Sequence, residues 1–520
     1  MNAQRRLSSY IIALLLFTGC LFPAPSASAE TLADVDAEIQ LNKTLVRVPG
    51  QDAYNVYAGV NNALLDRKIA ILSASGITKF ASSGSYSNFY SFTGLAGVTD
   101  TQLSVVTTTS TQRLYRLGNT SRKESQTYLG AWWGNQYRGV NRTRSEEAVL
   151  AAWPGDLQRI YVMDMPAGVS MVSGLTSPME KNGEYQPGGA VQNYYYGAPS
   201  SWLVYALYMP DYLESYAAAL TGAQKLGRNS LEDIGGHLSD LRYQGATQDS
   251  NIWLRLYGGN TQYTANGGDF NANSNGIHGG WDRLVKGGKM GEADRMHIGA
   301  LVGQGTFNQN DAVSGVKNDI TNTYAGIYSL YQSRPDDSRS WYGSAIATYG
   351  RLDLSNQVPG ESAGLGLAQK YGGNLLAASL ENGLTFRQKN GWFIEPQAQL
   401  LYTKFLQGDF NDNLGATISL RGNESLLGRI GIMALRKMQN KAGQKTKFWV
   451  RASYLREFCG ANSLDVAGDS AQSNNGRNYY QINAGANMDI TRQLSLNGDV
   501  SKTFGDEQGY RFSLLLTNAW

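Results

Sequence analysis

The stretch WFIEPQAQLLY, Trp392 to Tyr402, separates into two faces when every second residue is taken. Phe393, Glu395, Gln397, Gln399 and Leu401 make a mostly polar set. Trp392, Ile394, Pro396, Ala398, Leu400 and Tyr402 make an apolar set with an aromatic ring at each end. Period-two alternation predicts a β-strand. An apolar face bounded by rings suits a strand that crosses a bilayer, with the polar face turned to a wet lumen. GYRFSLLLTNAW, Gly509 to Trp520, repeats the pattern. Tyr510, Phe512, Leu514, Leu516, Asn518 and Trp520 alternate with Arg511, Ser513, Leu515, Thr517 and Ala519, and Asn518 is the one flaw in the apolar set.

Twelve such segments follow one another downstream of residue 250, from Ile252–Thr264 to Gly509–Trp520, separated by Gly, Asn, Asp and Ser clusters. Each is long enough, when tilted, for an apolar band of about 25 Å. The expectation is a mainly β fold built on a 12-stranded antiparallel transmembrane β-barrel, in preference to a soluble sandwich or propeller. No stretch after residue 30 approaches twenty consecutive apolar residues, so helices cannot supply the span. Just upstream, SLEDIGGHLSDLRYQ (Ser230 to Gln244) carries Leu231, Ile234, Leu238 and Leu241 at helical spacing. It is expected to lie in the barrel lumen as a pore helix; the alternative is a packing helix of the preceding domain.

The first residues have the pattern of an export signal. Arg5 and Arg6 precede the apolar run Tyr10 to Phe17, and Ala27-Ser28-Ala29 offers a cleavage site. Lipidation at Cys20, in FTGC, is the alternative to cleavage. After residue 29 only Cys459 remains of the two cysteines, so no internal disulfide can form. The net charge of +3 and the lack of a basic cluster with interleaved aromatics argue against nucleic acid. Sixty glycines and 31 tyrosines, with 12 prolines, are compatible with an outer-membrane barrel.

NIWLRLYGG, HGGWDRLVKG, GWFIEPQAQLLY, LLGRIGI, FWVRASYLREF and YRFSLLLTNAW, in that order behind the helix, resemble the translocator domain of a type V autotransporter. The resemblance implies an outer-membrane barrel of a Gram-negative bacterium with a helix through its pore and an N-terminal passenger at the cell surface or released. It implies membrane lipid, the Sec translocon, periplasmic chaperones and the barrel-assembly machinery as partners, and no cofactor for the barrel. The corresponding organisation is 1–29 signal peptide, 30–228 passenger, 229–250 linker helix and 251–520 translocator.

The passenger, with no solenoid repeat, is expected to be a compact α/β or α+β domain. All three histidines, His237, His278 and His297, fall in the helix or the barrel. A Ser-His-Asp hydrolase and a histidine-ligated zinc site are therefore excluded from the passenger, and no metal ligand set is assigned. GDS at Gly468 to Ser470 reads as a polar loop between barrel strands. QRLYRLGNTS (Gln112 to Ser121), GAWWG (Gly130 to Gly134) and YQPGGAVQNYYY (Tyr185 to Tyr196) together resemble NAD-glycohydrolase and ADP-ribosyltransferase toxins. The resemblance implies NAD as substrate. Arg116 would pair with the pyrophosphate, Trp133 or Tyr185 would stack on the nicotinamide or ribose, and Gln192 would orient the ribose or water. Glu146, Glu147 or Glu184 could supply a carboxylate. The rival expectation is a non-catalytic adhesin that binds a host or neighbouring cell through Tyr194, Tyr195, Tyr196 and Trp202.

Overall fold

The alternation closes into a ring. In a computed structural model of the protein, twelve antiparallel strands form a closed barrel. The structure describes almost all of residues 104–120, 132–151, 155–243, 249–285, 293–439 and 445–520, with isolated positions upstream. The export signal and Cys20 lie outside the described residues.

The first six barrel strands are β10 (Ser250–Ala265), β11 (Gly268–Val285), β12 (Arg295–Asp311), β13 (Lys317–Ser333), β14 (Arg339–Val358) and β15 (Leu367–Arg387). The other six are β16 (Trp392–Leu406), β19 (Glu424–Gln439), β20 (Lys445–Glu457), β23 (Asn478–Asp489), β24 (Leu494–Gly505) and β25 (Gln508–Ala519). Closure is made by β10 against β25, from Asn251↔Ala519 to Gln262↔Gln508, which leaves no open edge in the ring.

Facing follows the sequence pattern. On β16 the side chains of Phe393, Glu395, Gln397, Gln399 and Leu401 are buried, whereas Trp392, Pro396, Ala398 and Leu400 are exposed. On β25 Tyr510, Phe512, Leu514 and Leu516 point outward, and Leu515 and Thr517 inward. Asn518 is exposed with that outward set. Ile298, Val302, Ile327, Leu380, Ile430 and Val450 extend the outward apolar surface around the ring. Pro396 has no N–H to give the ladder, and pairing of β15 with β16 is interrupted there, between Gln397↔Gly383 and Phe386↔Ile394.

Several strands run past their expected ends. β14 has 20 residues against the expected Ser340–Leu352, and β15 has 21 against Gly373–Arg387. In the added segment DLSNQV, Leu354, Asn356 and Val358 are buried, whereas Asp353, Ser355 and Gln357 make the other, polar face. With polar residues in place of the apolar outward row, the lipid-facing period disappears even though the strand continues.

The helix is also longer than its amphipathic signal. Helix α2 spans Met209–Leu241, 33 residues, and has buried residues along its whole length. At about 1.5 Å per residue it is roughly 50 Å long, enough to thread the barrel. Its first half, YLESYAAALTGAQKLG, shows no apolar stripe because lumenal wall surrounds it and accepts polar and apolar groups alike. It touches that wall closely: a Cβ at Gly227 would lie 2.8 Å from Leu375 Cδ2, and one at Gly222 2.6 Å from Ile320 Cδ1.

Upstream lie β1 (Ser104–Thr107), β2 (Gln112–Gly118), β3 (Trp132–Gly134), helix α1 (Gly139–Glu146) and β4 (Arg159–Met165). They are followed by β5 (Ser170–Leu175), β6 (Met179–Lys181), β7 (Glu184–Gln186), β8 (Val191–Tyr194) and β9 (Leu203–Tyr208), so this region mixes helix and strand as expected. The chain divides into two compact units. One holds β1 and β5 to β8; the other holds β2 to β4, most of α1, β9, α2 and the barrel. In the second unit the strand order is β3-β2-β4-β9.

Two connections of the barrel carry strands of their own, which the sequence did not signal. Between β16 and β19 come β17 (Phe410–Asn411) and β18 (Thr417–Arg421); between β20 and β23 come β21 (Ala461–Val466) and β22 (Asp469–Asn474). Together they form a four-stranded sheet, β17-β18-β21-β22. Connections at the opposite end, such as 334–338, 388–391 and 490–493, are short. Long loops on one rim and short turns on the other are the asymmetry of outer-membrane barrels, with the long loops outside.

Candidate functional site

The barrel lumen is the best-defined site. It is filled by α2, which enters at the long-loop rim behind β9 and leaves at the short-turn rim. Charged side chains along the helix meet partners on the wall. Lys225 Nζ and Arg228 Nη2 each lie 2.6 Å from the Glu507 carboxylate, contributed by the turn between β24 and β25. Further along, Arg511 of β25 donates to Glu232 at 2.8 Å and is ion-paired with Asp233. Asp240 accepts from Asn497 Nδ2 at 2.7 Å.

Near the short-turn end, His237 Nε2 lies 2.8 Å from Asp282 Oδ2. Asp282 also accepts from Asn251 Nδ2 at 2.6 Å and from the Tyr328 hydroxyl at 3.0 Å. The His237 ring stacks on Trp253, centroids 4.4 Å apart. Past the helix end, Arg242 Nη2 reaches Glu395 Oε2 at 3.0 Å, with its guanidinium 3.9 Å from the centre of the Tyr342 ring. Glu395, read from the sequence as a lumenal polar residue, is thus one of the wall's anchors.

A buried charge is tolerable only when paired and hydrogen-bonded, and these pairs satisfy that condition along the helix. The pairs fix the helix in one register. Sequence reasoning missed Lys225, Arg228 and Glu507. The only available signal was the density of charge in a helix without a clear apolar stripe.

The passenger candidates distribute differently. Arg116, on β2, donates to Trp132 O at 3.3 Å, which places it beside the strand that carries Trp133. Trp133 is wholly buried. These two residues belong to the unit that contains the barrel. Gln192 and Tyr185 belong to the other unit. Gln192 sits on β8, 6% exposed, and its Oε1 has no hydrogen-bond partner among the described residues. Tyr185, on β7, is 55% exposed. Glu184 accepts from Gln186 Nε2 at 3.0 Å. Of the tyrosines read as an adhesive rim, Tyr194 is buried and serves as core, and Tyr196 lies outside the described residues. The GDS segment forms the β21–β22 hairpin, where Asp469 accepts backbone N–H groups from α1.

Residues 252–501 match the family described as Autotransporter beta-domain. The uncharacterized protein YdeU of Escherichia coli is 24% identical over 330 residues, covering 59% of this chain and 68% of that protein. The pertactin autotransporter of Bordetella bronchiseptica is 29% identical over 174 residues, covering 34% of this chain. The chain spans only 18% of pertactin's length. Among solved structures, the transport unit of the autotransporter AIDA-I from Escherichia coli aligns at 17% identity and a TM-score of 0.45, covering 60% of this chain and 98% of that one.

Proposed function

The barrel of this chain is an autotransporter beta-domain, set in the outer membrane and belonging to the type V secretion route, and from that premise we propose that the passenger it presents at the cell surface acts on NAD. The sequence places the passenger at 30–228 and the linker at 229–250; in this proposal the passenger ends before α2 (Met209–Leu241), which fills the lumen, and 251–520 is the translocator. Export through Sec, escort by periplasmic chaperones, insertion by the barrel-assembly machinery and a target on a host or neighbouring cell belong to the same proposal.

The observation that supports an activity on NAD is Gln192. A buried amide oxygen without a partner costs roughly 1–3 kcal/mol, and such a group calls for an explanation such as a ligand that completes it. In the proposed chemistry the Gln192 amide orients the nicotinamide ribose or the attacking water, and Tyr185 of the same unit supplies the stacking surface. The test uses cells displaying the full chain: nicotinamide release from NAD is measured for the wild type and Gln192→Ala. The variant should lose roughly a hundredfold in turnover, the scale of removing one positioned transition-state contact. Full activity in the variant, or none in the wild type, would sink the assignment.

The adhesin reading draws on Tyr185, an aromatic ring 55% exposed on a short hairpin. It is favoured if NAD is untouched and Tyr185→Ala abolishes attachment of displaying cells to a cell layer.

A further inference from the structure

The outer connections of the barrel engage the chain that precedes the pore helix at three places, all within one compact unit. The first is a strand edge. Gly360, in the connection from β14 to β15, forms an isolated antiparallel bridge with Leu207 of β9. Ala206 N–H donates to Leu365 O at 3.0 Å, and Glu361 N–H donates to Ala206 O at 2.8 Å. The outer edge of the β3-β2-β4-β9 sheet is thereby covered by strand addition, which also protects it from pairing with other chains. Gly360 has no room for a side chain, because a Cβ would lie 2.3 Å from the Leu365 carbonyl carbon. The Glu361 carboxylate then reaches the next strand, accepting from the Tyr161 hydroxyl at 3.1 Å and pairing with Arg159.

The second place is the β21–β22 hairpin. Asp469 accepts from Val140 N–H at 2.6 Å and from Asn141 N–H at 3.2 Å, capping the first turn of α1. The third is the β17–β18 loop. Asp412 accepts from the hydroxyls of Tyr212 at 2.5 Å and Tyr216 at 2.9 Å, and Arg113 of β2 donates to Asn413 O at 3.1 Å. Between these contacts lies one continuous hydrophobic core. Ile160, Val162 and Leu207 from the upstream sheet join Leu414, Leu464 and Val466 from the loops.

We propose that these loops are a docking surface for the chain's own passenger. They complete the β3-β2-β4-β9 sheet and hold it on the barrel without relying on the covalent connection. The occupant is set by what is already seated there: complementary charges, a matched strand edge and a shared core. The proposal rests on the surface-display reading above and goes beyond it, because display by itself requires only a tether.

The experiment uses the full chain displayed on cells, with a protease site inserted at the exposed pair Pro199–Ser200, upstream of β9. After cleavage, the fragment on the N-terminal side of the cut is measured on the cells and in the wash. The wild-type fragment is expected to stay cell-bound. Glu361→Gln combined with Asp469→Asn should release roughly tenfold more, the change expected for about 1.4 kcal/mol of lost docking. Heat-modifiable migration of the barrel should be unchanged. Asp469→Asn alone, whose contacts with Val140 and Asn141 cross the cut, should also release more of the fragment than the wild type, and covers the case in which the double variant fails to reach the surface. Immediate loss of the wild-type fragment on cleavage, or equal retention by the variants, would overturn the proposal. Absence of passenger from the surface before cleavage would overturn the display reading itself, and this proposal with it.

Discussion

The barrel and the sheet β3-β2-β4-β9 are both antiparallel, yet they solve the problem of the sheet edge in opposite ways. The barrel pairs its last strand with its first and needs nothing outside itself. The upstream sheet leaves β9 as an edge and covers it with a loop of the barrel, at Leu207↔Gly360. The difference teaches a direction of dependence. The ring closes its own edges, whereas the β9 edge of the neighbouring sheet is covered only with a barrel loop in place, so the expected dependence is of the sheet on the barrel.

The most severe way to break this contrast is to attack the barrel from within. Glu507→Ala leaves Lys225 and Arg228 buried without their carboxylate, and should cost roughly 3–5 kcal/mol. Thermal heat-modifiability of the barrel should fall, with loss of passenger protection following. If the passenger unfolded while the barrel kept its wild-type midpoint, the proposed dependence would be reversed. A charge on the outer surface comes next. Ile430, 62% exposed toward lipid, changed to Arg should cost about 2–4 kcal/mol at mid-bilayer. Reduced barrel assembly is the expected readout, and a neutral outcome would place Ile430 outside the hydrocarbon band.

Smaller effects sharpen the comparison from the other side. Asp469→Ala removes the cap of α1 and should cost about 1 kcal/mol, seen as faster proteolysis upstream of β9 with the barrel unaffected. An equal loss in both regions would mean that the hairpin supports the ring as well. The smallest effect concerns pH. Burial pushes the Asp412 carboxyl above its ordinary value of 3.8, against the Tyr212 and Tyr216 hydroxyls and the backbone N–H groups of Ala416 and Gly415, which lower it. A folded pKa above the unfolded one gives stability that is full below the unfolded value and is lost as pH rises through the folded value. Acidification should therefore tighten this contact, and Asp412→Asn should flatten that part of the pH profile of passenger protection. A wild type that releases its passenger more readily in acid, with Asp412→Asn unchanged from it, would contradict this.

Much of the barrel could be read in advance because lipid and lumen impose opposite demands on alternate residues. WFIEPQAQLLY disclosed both faces, and the outward row of β25 could be named residue by residue, Asn518 included. The first half of α2 could not be read that way. Tyr212, Ala217, Gln224 and Lys225 are all buried, and Tyr212, Gln224 and Lys225 meet Asp412, Asn462 and Glu507 of the barrel's outer connections, so polar and apolar positions are buried alike. The passenger residues Arg116, Trp133, Tyr185 and Gln192 were chosen by local resemblance, and local resemblance carries no distance. The fold assigns two of them to one unit and two to the other.

The sequence by itself determined the barrel's strand count, the facing of the strands at Trp392–Tyr402 and Gly509–Trp520 and the exclusion of helical spans, because a contrast between two solvents is written at every second residue. Only the tertiary structure decided which groups meet. Lys225 and Glu507 stand 282 positions apart, and Val140 and Asp469 stand 329 apart. Those partners are polar at both ends and aperiodic along the chain. They are fixed by where closure of the ring and threading of the helix carry them, which no local pattern records.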